Sequence, residues 1–217
     1  MTTFPVIEKF VSINGEGTRA GELSAFIRFM GCNLRCPYCD TKYSYGDNVS
    51  FEYLSIDDIC KFAQDITNVT LTGGEPMIHD LSQLCRKLTE NDHRVEIETN
   101  GSFSIEPLRG IGGVTFTLDY KLPSSGMEQE MDLDNYHMLR KCDTVKFVVG
   151  TKDDLIRACE IIDDYNLTDI CHVYFSPVFG EITAKIIVDF MKKRRLNDVR
   201  LQLQLHKYIW DPQERGV

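Results

Sequence analysis

The stretch LSAFIRFMGCNLRCPYCDT (residues 23–41) joins a largely apolar segment to a loop that contains three cysteines. The apolar segment predicts a buried β-strand, and Cys32, Cys36 and Cys39 follow it directly with C-x3-C-x2-C spacing. A structural zinc site needs four closed ligands, but Cys60, the next cysteine, falls in a helical pattern. Three thiolates instead favour an iron–sulfur cluster, with one iron open to a substrate or cofactor.

The rest of the chain alternates short apolar runs with helical patterns. Ser55 and Thr151 each precede a helical pattern and have an acidic residue three positions on, which is typical of a helix N-terminus. The segment 102–113 is too short and too rich in glycine and proline for a full third helix. The alternation predicts parallel βα units. Buried strands are predicted at 23–30, 68–72, 94–98, 114–120, 144–150 and 170–175, and a late or edge strand at 199–205.

Six such units favour an α/β fold of the TIM-like barrel type, either a partial (β/α)6 barrel or a full one, over an open sheet. VIEKFVSINGEGTRAG, ahead of the first unit, predicts an N-terminal strand extension, and a C-terminal strand and tail complete a single domain over residues 1–217. Ligands of βα barrels bind where loops leave the carboxyl ends of the strands. The cysteine loop and the motifs TGGEP, ETNG, DYKLPSSG, SPVFG and LHKYIW all follow predicted strands, so we expect the site on that rim.

The balance of charge argues against a polyanionic partner. The chain has 24 Lys and Arg residues against 33 Asp and Glu, a formal net charge of −9. Its dense basic run, residues 192–195, ends a helical pattern, where it complements the helix dipole. No run approaches the roughly 20 apolar residues of a membrane span, and the first residues do not resemble a signal peptide. We therefore expect a cytoplasmic protein with a small-molecule partner, and neither nucleic acid nor membrane.

The cysteine motif, with Tyr38 before its last cysteine and TGGEP at 72–76, resembles the radical S-adenosylmethionine (SAM) superfamily. The resemblance implies that the three cysteines bind a 4Fe-4S cluster whose open iron is chelated by SAM. It also implies that reductive cleavage of SAM gives a 5′-deoxyadenosyl radical, so that no protein side chain is itself the catalytic group.

A narrower resemblance, to the 7-carboxy-7-deazaguanine synthase family, runs through SINGEGTRAG, FIRFMGCNLRCPYCDT, LTGGEP, ETNG, DYKLPSSG and LQLHKYIWDPQERGV. It implies conversion of 6-carboxy-5,6,7,8-tetrahydropterin to 7-carboxy-7-deazaguanine with loss of ammonia, in 7-deazapurine (queuosine) biosynthesis, with SAM used catalytically. It also implies Mg²⁺, a homodimer, and a flavodoxin or ferredoxin as reductant.

The same resemblance assigns roles position by position. Mg²⁺ is assigned to Thr41. A planar guanidinium at Arg28 suits a carboxylate, and the missing Cβ atoms of Gly73 and Gly74 let the backbone approach a ligand. The residues assigned to SAM are Tyr38, Cys39, Asp40, Gly73, Gly74, Glu75, Asp119, Tyr120, Lys121 and Ser176. Those assigned to the substrate are Ile13, Asn14 (more often glutamine in the family), Gly15, Glu16, Arg28, Thr72, Glu98, His206 and Pro212.

Two other functions share part of these signals. A radical SAM activase of a glycyl-radical enzyme or of an anaerobic ribonucleotide reductase has the same cysteine motif but acts on a protein. A zinc-binding interaction module would use the cysteines without turnover. Neither accounts for INGEG, PSSG and HKYIWDP together, and the brown colour of an iron–sulfur protein would exclude zinc.

Overall fold

The computed structural model describes residues 2–212 and 214–217 and places nine strands in one sheet, in the order β3-β1-β2-β4-β5-β6-β7-β8-β9. Strands β2 and β4 to β9 are parallel, whereas β1 pairs antiparallel with β2 and β3. The predicted parallel arrangement and the N-terminal strand extension are confirmed. The strands are β1 (Thr3–Ile13), β2 (Leu23–Phe29), β3 (Glu52–Ser55), β4 (Asn68–Gly73), β5 (Arg94–Thr99), β6 (Val114–Tyr120), β7 (Thr144–Val149), β8 (His172–Pro177) and β9 (Val199–Leu201).

Seven helices accompany the sheet in the described residues, and none is long and apolar enough to cross a membrane. Capping boxes at Ser55 and Thr151 begin two of them, as predicted. The third helix has only four residues, also as predicted, and between β6 and β7 the chain forms short 3-10 turns instead of an α-helix. The helices are α1 (Ile56–Ala63), α2 (Ser82–Glu90), α3 (Glu106–Arg109), α4 (Lys152–Asp164), α5 (Leu167–Ile170), α6 (Ala184–Arg194) and α7 (His206–Ile209).

The parallel strands are buried on both faces. Leu71 and Ile97 belong to the apolar core. Their neighbours Thr70 and Glu96 are also buried but belong to a polar network that includes Thr117, whose hydroxyl donates to Glu96 over 2.6 Å. Because side chains alternate along a strand, the sheet has one apolar face toward the helices and one polar face inside the curve. The interior therefore suits a polar ligand.

The curved sheet is a partial barrel, since β3 and β9 are its edges among the described strands. The first and last parts of the sheet are joined by hydrogen bonds from the turn between β1 and β2, and we call this junction the seam. The side-chain amide of Gln202 accepts a hydrogen bond from Gly17 N (2.7 Å) and donates one to Gly17 O (2.9 Å), while Leu205 N donates to Gly15 O (3.1 Å). The strand predicted at 199–205 is therefore wrong beyond Leu201. Gln202 N still donates to Phe175 O of β8 (2.9 Å), but the Gln202 side chain and Leu205 N bind the turn.

Strand β3 was not predicted. It has four residues and pairs with the first part of β1, Thr3↔Ser55 through Val6↔Glu52. A strand this short gives no alternation that sequence patterning can detect. Its effect is to hold the chain that leaves the cysteine loop against the edge of β1.

Candidate active site

A cavity of about 400 Å³ lies at the carboxyl ends of the parallel strands, where the rim was predicted. All three cysteines of the motif line it. Most of the residues assigned from the resemblance line it with them. These are Ile13, Gly15, Glu16, Arg28, Cys32, Cys36, Tyr38, Cys39, Asp40, Thr41, Thr72, Gly73, Gly74, Glu98, Asp119, Lys121, His206 and Pro212.

The cysteine loop surrounds one end of this cavity. Leu34 N donates to Cys32 Sγ over 3.4 Å, which fixes the first thiol, and Cys36 is buried. Burial raises the pKa of the Cys36 thiol, and the nearby Lys121 ammonium opposes that rise. A bound metal would supply the positive charge that makes these thiols ligands at neutral pH.

The donor set fits an iron–sulfur cluster. Three thiols of one loop line the same cavity, and cysteine thiolates are the natural ligands of such a cluster. The Tyr38 hydroxyl, beside the last cysteine, is buried without a hydrogen-bond partner among the described atoms. Buried polar groups are normally paired, so this hydroxyl also fits a bound cofactor.

Gly73 and Gly74 lie where two segments of backbone almost touch. A Cβ on Gly73, whose φ is +146°, would stand 2.4 Å from Phe29 O, and one on Gly74 would stand 2.1 Å from Gly31 O. Glu75 N donates to Gly31 O over 2.8 Å. The glycine pair therefore holds the first residues of the cysteine loop against the end of β4. Neither glycine has a side chain of its own, and both line the cavity, so their backbone can approach a ligand.

Replacing Gly74 by alanine is expected to lower the free energy of unfolding by roughly 1–3 kcal/mol, because backbone atoms must move apart to admit the methyl group. The shift would also displace the cysteine loop and weaken SAM binding. Urea unfolding and equilibrium SAM binding measure the two effects. Gly110→Ala is the matched control, since a Cβ there meets nothing within 4 Å at an ordinary φ of −79°. Equal behaviour of the two variants would refute the close-approach argument.

The Glu75 side chain does not line the cavity, although the residue was assigned to SAM. Its carboxylate is fully buried and accepts hydrogen bonds from Asn100 N (2.6 Å), the Thr99 hydroxyl (2.7 Å) and Met77 N (2.9 Å). It thereby ties the loop after β4 to the end of β5. Its backbone N–H is also taken, by Gly31 O, so Glu75 acts by holding the loops around the cavity.

Three other assigned side chains also point away from the cavity. Asn14 is buried, accepts from the Thr70 hydroxyl (3.0 Å) and donates to Glu96 (3.4 Å). The Tyr120 hydroxyl donates to Glu128 over 2.8 Å, on the helix side of the sheet. The Ser176 hydroxyl donates to Glu16 over 3.3 Å and so supports a residue that does line the cavity. The chemistry of these residue types agrees with a binding site, but each side chain is bound to another protein group instead of lining the cavity.

Sequence reasoning missed the central cation of the site, Lys146 on β7. Its ammonium lies 2.9 Å from Glu16 Oε2 and 3.1 Å from Asp119 Oδ1, and Lys121 lies 3.0 Å from Asp119 Oδ2. Burial alone would lower the pKa of Lys146, but Asp119 and Glu16 outweigh burial and raise that pKa well above its ordinary value. The signal was available, since a lysine inside the apolar run TVKFVV must reach a buried partner.

Glu98, on β5, ends in the same cavity. Burial raises its pKa from 4.5 to about 7, although Lys146 acts against the rise. Between these pH values the folded protein holds a proton on Glu98 that the unfolded chain has lost. Because the folded state then binds more protons, its stability falls as the pH rises.

In a Glu98→Gln variant we expect a shallower fall in the free energy of unfolding between pH 4.5 and about 7. Urea titrations at pH 5, 6 and 7 measure how steeply the free energy of unfolding depends on pH. Glu130→Gln, at an exposed residue, serves as the control. The idea fails if Glu98→Gln keeps the slope of the unsubstituted protein while Glu130→Gln does too.

Comparisons with known proteins agree with this arrangement of thiols and glycines. The radical SAM superfamily matches residues 26–193. The 7-carboxy-7-deazaguanine synthase of Clostridium acetobutylicum is 49% identical over 219 residues, which cover 99% of both chains. The chain belongs to the 7-carboxy-7-deazaguanine synthase family. The synthase of Leptospira interrogans is 35% identical and covers 98% of this chain and 97% of its own.

The fold of the family is also found among solved structures. The crystal structure of QueE from Escherichia coli aligns with a TM-score of 0.77 over 93% of this chain and 94% of its own, at 24% sequence identity. Membership of the synthase family favours the synthase over the two rival functions, the activase and the zinc module, since those share only the cysteine motif. The end-to-end match covers the polar interior as well as the cysteine loop.

Proposed function

We propose that this chain converts 6-carboxy-5,6,7,8-tetrahydropterin to 7-carboxy-7-deazaguanine with loss of ammonia, and that it uses SAM catalytically. The observation that carries the proposal is a single cavity with two unlike ends. The three thiols and the bare glycine backbone stand at one end. Arg28, Glu98 and His206 stand among the polar groups of the other, as a flat polar substrate with a carboxylate requires.

The first end of the cavity is the proposed cofactor site. Cys32, Cys36 and Cys39 would hold the 4Fe-4S cluster, and the backbone of Gly73 and Gly74 would approach the amino group of SAM. Together the bound cofactors supply the one-electron chemistry that cleaves SAM. The remaining SAM contacts are proposed for Tyr38, Asp40, Asp119 and Lys121, with Ser176 acting through Glu16.

The second end of the cavity is the proposed substrate site. The Arg28 Nε donates to Glu8 over 3.1 Å, and its terminal nitrogens suit the pterin carboxylate. Thr72, Glu98 and His206 offer hydrogen-bonding groups to the rings, and the backbone of Ile13 and Gly15 offers more. Glu16, held by Lys146 over 2.9 Å, is fixed in orientation before a ligand arrives.

A magnesium site at Thr41 forms part of the proposal. The Thr41 hydroxyl lines the cavity and donates to Asp40 Oδ1 over 2.9 Å, so two oxygen groups stand together. Mg²⁺ prefers oxygen ligands and accepts few from protein when a substrate supplies others. The substrate carboxylate is the group we propose as its further ligand.

Three further features are proposed from family membership. The electron would come from a flavodoxin or ferredoxin, the enzyme would be a homodimer, and it would act in the cytoplasm. The charged, exposed Arg35 and Lys42 flank the buried Cys36 on the cysteine loop, which suits an acidic electron donor.

The test is an anaerobic assay of the reconstituted protein with dithionite, SAM, Mg²⁺ and the carboxytetrahydropterin, read by mass spectrometry. Product in excess of the SAM consumed establishes the synthase with catalytic SAM. Cleavage of SAM without change of the pterin would reject the substrate but keep the radical SAM chemistry. A parallel reaction with EDTA in place of Mg²⁺ should be slower if the proposed metal site operates.

A further inference from the structure

The segment 214–217 has no role in the function proposed so far. Beyond Pro212 the chain continues as QERGV, and residues 214 to 217 all line the cavity. Arg215 lies on the side where Arg28 stands, since both bind Glu8. Arg215 is the cation of this segment.

Arg215 and Arg28 share one carboxylate. Arg215 donates from Nη2 (2.6 Å) and Nε (2.7 Å) to Glu8 Oε1. The other oxygen, Oε2, accepts from Arg28 Nε (3.1 Å) and from the Tyr43 hydroxyl (3.0 Å). Glu8 therefore receives donors on both oxygens and fixes the two guanidinium groups on either side of itself.

The Arg215 side chain also packs on the face of the Tyr43 ring. The guanidinium carbon of Arg215 lies 3.8 Å from the centroid of the Tyr43 ring, a close cation–π contact. Arginine stacks well on aromatic rings because its charge is planar and weakly hydrated. A side chain that is 53% exposed is thus restrained by an ion pair and a ring together.

Arg215 brings a second guanidinium group to the Arg28–Glu8 pair. The two oxygens of Glu8 already accept from Arg215, Arg28 and Tyr43, so Glu8 holds both guanidinium groups in place. Glu214, the other charged residue of the segment, lines the same cavity. Partly desolvated charges interact more strongly than charges in bulk water. The two guanidinium groups therefore stand together where an anionic group of a ligand can contact both.

We propose that Arg215 is a specificity-determining residue, which forms with Arg28, across Glu8, a two-arginine site for the carboxylate of the pterin. This inference rests on the proposed function, because it assigns one end of that substrate. The inference predicts that the segment 214–217 discriminates between pterins with and without a carboxylate. SAM binding should not depend on Arg215.

The test compares 6-carboxypterin with pterin, which lacks the carboxylate, by fluorescence anisotropy at equilibrium. In Arg215→Gln we expect the affinity for 6-carboxypterin to fall about tenfold, the loss of one charge-assisted contact, and the affinity for pterin to stay the same. In turnover, KM for the substrate should rise with little change in kcat, since a uniform binding contact is lost. Arg86→Gln, at an exposed position on α2, is the matched control.

Two results would overturn the inference, and they differ. If the unsubstituted protein turns over the substrate and prefers 6-carboxypterin, but Arg215→Gln keeps that preference, Arg215 has no part in recognition and the proposed function stands. If the unsubstituted protein shows neither turnover nor preference for 6-carboxypterin, both proposals fail. Arg215→Lys, which keeps the charge but not the fork, should fall between the two extremes.

Discussion

Replacement of Cys36 by serine is expected to lower synthase turnover roughly a thousandfold or more, equivalent to at least about 4 kcal/mol in the barrier. Cys36 is buried in the cavity wall between the two other thiols of the motif. Without it a cluster would have two protein ligands, and a serine hydroxyl is a poor substitute for a soft thiolate. The reconstituted variant should therefore also contain little iron and lack the brown colour.

The measurement pairs iron and sulfide content with the visible spectrum and with SAM cleavage under dithionite. Cys142→Ser is the control, because Cys142 is exposed and does not line the cavity. That variant should bind a full cluster and turn over at the normal rate. A Cys36→Ser protein with a full cluster and normal rate would disprove the assignment of the ligands.

The second large effect concerns stability. Replacing Lys146 by methionine should lower the free energy of unfolding by about 3–5 kcal/mol, the usual consequence of removing one partner of a buried ion pair. The Lys146 side chain is 8% exposed, and it contacts carboxylates of both Glu16 and Asp119. Methionine fills a similar volume but leaves these acids without their shared cation.

Urea unfolding measures this loss, with Lys185→Met as the control. Lys185 pairs with Asp189 on the surface of α6 at 83% exposure, where solvent screens the pair and its loss should change the stability little. Addition of Glu16→Gln to Lys146→Met should restore part of the stability, since one unpaired buried charge is then removed. A Lys146→Met protein as stable as Lys185→Met would show that the buried network is not stabilising.

Sequence patterning predicted the parts of the site that depend on order along the chain. Cys32, Gly73 and Glu98 each lie at or just beyond the end of a predicted strand. Parallel strands bring such positions to one rim. The motif spacing was sufficient to place the three thiols together at the cavity, because they belong to one loop.

The parts that sequence could not predict depend on the direction of single side chains. Asn14 and Tyr120 have suitable chemistry, but one binds Thr70 and the other Glu128. Lys146 and Arg215 were overlooked for the opposite reason. Their partners, Glu16 and Glu8, are 130 and 207 positions away. The apolar run around Lys146 indicates that it needs a buried partner, but no local pattern says which residue that partner is.

The seam between the first and last parts of the sheet affects how the protein matures on the ribosome. The hydrogen bonds of Gly17 to Gln202 join residues 185 positions apart, and contacts so distant in sequence form late because a long loop must be closed first. A nascent chain that has emerged only as far as β8 has all three cysteines but no partner for the turn at Gly17. We therefore expect the thiols to stay open to iron and oxygen until the last part of the chain has emerged, so that a cluster bound earlier would lack its enclosing pocket.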